Sequence, residues 1–175
     1  MSREFMLTGV ERTFGQDEII VSKTDLKGRI TYANGVFQKV YGDSEVELMG
    51  KPHNLVRHPA MPKVVFKLLW DTLGAGNEIF AYVVNRAKNG DHYWVFAHVT
   101  PSRDSSGNVV GYHSNRRLPN KRIVSDAIEP LYRTLLDIEA KTGGKAGMEA
   151  SEKALFALLK EKGIEYDRFI FSLGA

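Results

Sequence analysis

Hydrophobic and polar positions change period along this chain, and the changes mark its elements. Residues 1–17 keep no firm period and read as a leader. Ile19, Ile20 and Val21 crowd into 18–22, which predicts a strand, and Asp25-Leu26-Lys27-Gly28 turns into a second strand over 29–33. Asn34 stands at a strand-to-helix junction, ahead of Val36, Phe37 and Val40, and reads first as a helix cap. Ser44-Glu45-Val46-Glu47 has the spacing of a capping box, and Gly50 closes the short helix that it starts. Three prolines between 52 and 62 make that stretch irregular, and Pro62 suits the first turn of the next helix. That helix carries Val65, Leu69 and Leu73 on one stripe, with Phe66 and Trp70 beside it, and ends at Gly74 and Gly76. Strands over 78–86, 91–101 and 109–117 follow, joined by Ala87-Lys88-Asn89-Gly90 and by a turn at 104–108.

This order predicts an α+β fold: one five-stranded antiparallel sheet in a domain over 18–118, with short helices on one face. A C-terminal helix over 119–140, with Pro130 as a kink, leads through a glycine-rich linker at 141–148 to a terminal helical segment over 149–175. Period-two reading places Ile79, Ala81, Val83 and Asn85 on one face, and Phe80, Tyr82, Val84 and Arg86 on the other. The next strand divides Tyr93, Val95, Ala97 and Val99 from Trp94, Phe96 and His98. Neither face is plainly polar, so both need cover. The short helices supply one side. The leader, the C-terminal helices or a second copy of the chain supplies the other, and a homodimer through that face is expected as readily as self-coverage.

Composition removes whole classes of chemistry. Without cysteine, the chain has no disulfide, thiolate metal site, iron–sulfur cluster or cysteine nucleophile. Its net charge is +3 with the basic residues dispersed, which argues against a nucleic-acid partner. No run approaches the roughly 18 apolar residues of a membrane span, and the N-terminus lacks a secretory apolar region. The expectation is a soluble, cytoplasmic protein. There is no nucleophile–base arrangement, carboxylate pair or phosphate-cradling glycine loop, so the chain is not expected to be an enzyme.

The element order, together with Asn85-Arg86-x-Lys88-Asn89-Gly90-Asp91-x-Tyr93-Trp94, resembles a PAS sensor domain. More narrowly, Thr24-Asp25-Leu26, Tyr32-Ala33-Asn34, the run from Pro52-His53-Asn54 through Arg57-His58-Pro59 to Met61-Pro62-Lys63, and Glu129-Pro130-Leu131-Tyr132 are similar to the bacterial aerotaxis-receptor PAS family. That resemblance, over about residues 18–135, implies non-covalent FAD and a report of redox state to the chemotaxis machinery. With no membrane anchor or methyl-accepting coiled coil following, the chain also resembles the stand-alone PAS partner of bipartite energy-taxis systems, in which a separate transducer carries the signal. It departs from the family at Ala60, where an acidic residue is usual, at Ile79, where tryptophan is usual, and at Ala81, which replaces a glycine.

Asn85 is the first candidate for the cofactor. A buried amide needs partners, and an isoalloxazine edge offers both donors and acceptors. The residue also matches an asparagine that touches the ring in flavin-binding, light-sensing PAS relatives. Arg57 offers a planar donor fork suited to phosphate, and with His58, held extended by Pro59, it is assigned to the diphosphate or adenine end of FAD. The family places Asn34 near the cofactor as well as at the cap. His113 shares its face with Gly111 and Asn115 and matches a ring-contacting glutamine of the light sensors, which implies a contact responsive to protonation; a satisfied core histidine is the alternative. Trp70 is assigned to the cofactor or to the core. Heme is the rival cofactor, with His58 or His98 as axial ligand, and a cofactor-free docking module is the third reading. No cysteine is available for a flavin–thiol photoadduct.

Overall fold

The computed structural model describes residues 6–174. Its sheet has five antiparallel strands, β1 (Ile20–Thr24), β2 (Ile30–Ala33), β3 (Ile79–Arg86), β4 (His92–Arg103) and β5 (Val109–Arg117), in the order β2-β1-β5-β4-β3. Strand β1 begins two residues later than the sequence predicts. A turn in which Gly15 and Glu18 exchange hydrogen bonds holds Glu18 out of the ladder. The hairpin to β2 forms because the Asp25 carboxylate accepts from the amides of Lys27 and Arg29.

Between β2 and β3 lie α1 (Gly35–Tyr41), α2 (Glu45–Leu48), a 3-10 turn (His53–Val56) and α3 (Lys63–Gly74). Asn34 caps α1 by accepting from the Phe37 amide, and Ser44 with Glu47 forms the capping box of α2. Helix α3 starts after Pro62 with no cap of its own. Its Lys63 and Val64 amides instead donate to the Glu139 carboxylate at 3.0 Å each. The free edge of β3 is covered by the connection that leads into α3. Arg57 bridges to Asn85, and the Val84 amide donates to Met61 Sδ at 3.3 Å.

After β5, α4 (Lys121–Ile123) runs through a π turn (Val124–Ile128) into α5 (Glu129–Thr142). The helix widens there because Pro130 has no N–H to give and its ring crowds the preceding turn; the Glu129 amide reaches back to Val124 O. Helices α6 (Gly144–Lys162) and α7 (Tyr166–Ser172) complete the chain. The expected linker over 141–148 is therefore helical except at Gly143. Gly143 and Gly144 take positive φ at the turn between the helices, while Gly147 serves contact: a Cβ there would lie 2.2 Å from Glu139 O, so only glycine lets α6 approach α5.

Over β3 and β4 the outer face of the sheet is packed by the chain's own helices. Tyr132 of α5 donates its hydroxyl to Tyr82 O and packs near Trp94. Phe171 of α7 meets Phe80 and Phe96 edge-on. Over these two strands the C-terminal helices supply the cover that the sequence left open between them and a second copy. The described part of the leader is a strap along the β3–β4 turn. Thr8 and Arg12 donate amides to Gly90 O and His92 O, and Arg12 pairs with Asp91 at 2.7 Å. Residues 1–5 of the expected leader lie outside the described residues. No helix of the described residues is long and apolar enough to cross a membrane.

Candidate functional site

A cavity of about 520 Å³ separates the inner face of the sheet from α3 and the 3-10 turn, within the usual size range for a small-molecule site. Its floor alternates along the strands as the period-two pattern requires. Val83 and Asn85 come from β3, Ala97 and Val99 from β4, Tyr112, Ser114 and Arg116 from β5, and Ser22 and Thr24 from β1. Phe66, Leu69, Trp70 and Leu73 of α3 form an apolar roof, and Met148 of α6 reaches the same cavity. The apolar roof and the Val83, Ala97 and Val99 patch of the floor suit a largely apolar body.

The polar groups concentrate at two ends. Toward α1, Arg116 is only 2% exposed; its guanidinium lies 4.6 Å over the Phe37 ring and its Nη2 donates to Ser22 Oγ at 2.6 Å. The same Ser22 hydroxyl is hydrogen-bonded to His53 Nε2 at 2.9 Å. Removal from water, with the Arg116 charge added, pushes the His53 imidazole down to about 3, so it is neutral at physiological pH. Arg116 itself falls only to about 10 on burial and remains a cation. Its Nε and Nη1 have no hydrogen-bond partner among the described residues. Toward solvent, Lys27, Arg57, Lys63 and Lys67 line the mouth, with Trp70 half exposed and edge-on to Tyr112 at 5.4 Å. Arg57 lies over the Phe66 ring at 4.4 Å. Lys67 is held by Asp71 and Glu152, which push its ammonium up. Five cations line the cavity and no Asp or Glu does among the described residues.

Of the six residues expected from the sequence, the cavity brings together Asn85, Arg57 and Trp70. Asn85 is 3% exposed on its wall. The other three lie elsewhere. Asn34 spends its side chain on the fold, accepting from Phe37 N and Val21 N and donating to Ile19 O. His58 faces the opposite side of its loop, near the His92 ring, with Nδ1 accepting from the Ala60 amide. His113 points to the outer face, where Nε2 meets Asn115 Oδ1 at 3.1 Å. The cross-strand register explains this last difference. Val99 pairs with Ser114 and Ala97 with Arg116, so the inner face of β4 continues into the even-numbered residues of β5. Arg116, Ser22 and His53 are the functional candidates that sequence reasoning missed; extending the Ala97–Val99 face across a β4–β5 hairpin would have found Arg116. The axial histidines of the heme reading fare no better. His58 lies as described, and His98 stacks on Phe80 on the outer face, bonded to Glu78. Ile79, at the family's tryptophan position, is 1% exposed and is not among the residues lining the cavity.

Comparison with known proteins agrees with this architecture. Residues 30–116 match the PAS fold family. The chain is 42% identical over 135 residues to the aerotaxis receptor of Escherichia coli (strain K12), covering 77% of this chain and 26% of that protein. It is 28% identical over 102 residues to the nitrogen fixation regulatory protein of Klebsiella pneumoniae, covering 58% and 21% respectively. The chain thus spans about a quarter or less of the curated relatives it matches. A solved light-oxygen-voltage domain, from work with a flavin analogue, superimposes with a TM-score of 0.56 at 19% identity over 66% of this chain and 87% of that one, a likeness of fold. The sheet order, the helix-roofed cavity and the receptor's sequence identity together place this chain in the PAS family, as a sensor domain of the aerotaxis-receptor kind.

Proposed function

We propose that this chain is a cytoplasmic redox sensor of the energy-taxis type. It binds FAD non-covalently and signals the state of the flavin to a chemotaxis transducer through protein contacts, without catalysing a reaction. The observation that carries the reading is the cavity itself: an apolar roof over a floor that mixes Val83, Ala97 and Val99 with the Asn85 amide, and five cations with no carboxylate among the described residues. That donor set suits a planar ring system with phosphates attached and is poorly suited to a neutral lipid or a cationic ligand. Bound there, the flavin would supply reversible electron storage.

The protein's own residues divide the remaining work. Val83, Val99, Phe66 and Leu69 exclude water from the ring faces. Asn85 offers both a donor and an acceptor to a ring edge. Arg57 and Lys63 hold phosphate at the mouth. Because α3 forms the roof and α6 contributes Met148, a change of ligand state reaches the C-terminal helices without first crossing the sheet. The 42% identity to a protein named as an aerotaxis receptor supports the same reading, as does the fold shared with a light-oxygen-voltage domain from flavin work.

The test is an absorbance spectrum of freshly purified protein, followed by acid release and chromatography of any chromophore. A flavin spectrum with released FAD is expected, lost in Asn85→Ala. A Soret band, or no chromophore even after incubation with excess FAD, overturns the proposal.

A further inference from the structure

The inner end of the cavity holds a group that the fold does not satisfy by itself. Arg116 is buried and cationic, and two of its donor atoms, Nε and Nη1, are unspent among the described residues. It is also fixed. Ser22 takes Nη2, the Phe37 ring lies beneath the guanidinium, and the Ser22–His53 hydrogen bond holds Ser22 in turn. No carboxylate lines the cavity among the described residues, so none answers the Arg116 charge there. A buried cation without a counter-ion burdens the ligand-free protein. Breaches of this kind belong at functional sites. The mouth cations are different, being at the edge of solvent, and Lys67 is already paired.

We infer that Arg116 is the ligand-selecting residue of this cavity: its two free N–H donors and fixed charge hold an acceptor-bearing heteroaromatic edge, and they favour whichever form of the ligand carries more negative charge there. The inference rests on the flavin reading. Reduction adds negative charge to the flavin ring system, so Arg116 binds reduced flavin more tightly than oxidised flavin and raises its reduction potential. Ser22 acts as a positioning residue for the guanidinium.

The experiment uses the full chain loaded with FAD, as wild type, Arg116→Lys, Arg116→Gln and Arg116→Met. Each is titrated with dithionite against a reference dye to read the midpoint, and oxidised FAD affinity is measured in parallel. Gln and Met are expected to lower the preference for reduced over oxidised flavin at least tenfold, a midpoint drop of about 30 mV for a two-electron couple. Lys, which keeps the charge, is expected to retain most of the wild-type midpoint. A residue that only supports the fold would weaken both redox forms alike and leave the midpoint where it was. Bound flavin with an unchanged midpoint in both Gln and Met therefore overturns the inference while leaving the flavin reading intact. A wild-type chain that takes up no flavin overturns both. Melting of the ligand-free variants supplies a readout that needs no cofactor. Arg116→Met is expected to melt at or above wild type, because an unanswered buried charge has been removed. A large drop in melting temperature in both Met and Gln would make Arg116 a structural cation and overturn its assignment.

Discussion

The two faces of the sheet are built from the same alternating strands and do opposite things. On the outer face aromatic rings meet aromatic rings: Phe80, Phe96 and Phe171 cluster, Trp94 packs near Tyr132, and the Tyr132 hydroxyl is spent on Tyr82 O. On the inner face the side chains border a cavity, and a guanidinium keeps donors in reserve. The difference teaches that burial alone does not identify a site. Both faces of β3 are buried from Ala81 to Arg86, yet only one leaves chemistry unfinished.

One residue ties the faces together. The Glu139 carboxylate, on the α5 helix that covers the outer face, accepts from Lys63 N, Val64 N and Ser151 Oγ. Glu139→Ala strands three donors and is expected to cost about 3 kcal/mol in denaturant unfolding. It should also loosen the roof enough to weaken ligand binding. Unaltered ligand affinity in that variant would separate the faces and break the link drawn here. Adjacent valines sharpen the contrast at constant chemistry. Val84→Ala, on the packed outer face, is expected to lose about 2 kcal/mol.

Protonation probes the inner face alone. The folded His53 pKa of about 3 lies below its unfolded value of 6.5, so the unfolded chain binds the extra proton between these limits. Its contribution to stability is full above pH 6.5 and is lost as pH falls toward 3, about 2 kcal/mol between pH 7 and pH 5. His53→Gln should flatten that slope in melting experiments run across this range. Asp91, lowered to about 2 chiefly by hydrogen bonds from Thr8, Arg12 and Asn89, acts in a separate window and loses its contribution only below about pH 3.8. A slope that survives in His53→Gln between pH 7 and pH 5 would assign the effect elsewhere. The smallest change expected is Val83→Ala, under about 1 kcal/mol, because that side chain borders the cavity and gives up fewer contacts. Equal losses at Val83 and Val84 would mean that the cavity wall is as tightly packed as the outer face.

Much of the fold was legible because local chemistry decides it. Asn34, Ser44 with Glu47, and Asp25 announce their caps and turns in sequence, and strand alternation sorts β3 and β4 correctly onto their faces. The site was legible only in part. Asn85 could be read because it lies on the same strand as the apolar residues that define the face. Arg116 could not be read within its own strand, since β5 is mixed on both faces and its parity is set by pairing with β4. The side chain of His58 is not legible for a related reason: proline restricts the backbone before it but does not say which way the side chain turns, and here it turns toward His92. The 141–148 segment failed differently. Glycines signal flexibility in isolation, whereas here Gly147 is where two helices touch.

The borrowed cap of α3 has a consequence for where this protein can be divided. The family match ends at residue 116, yet the helix that roofs the cavity is fastened at its start by residue 139. The family match therefore stops short of a contact on which the roof depends. A gene fusion or truncation cut at residue 116 would carry the roof helix away and leave its latch behind.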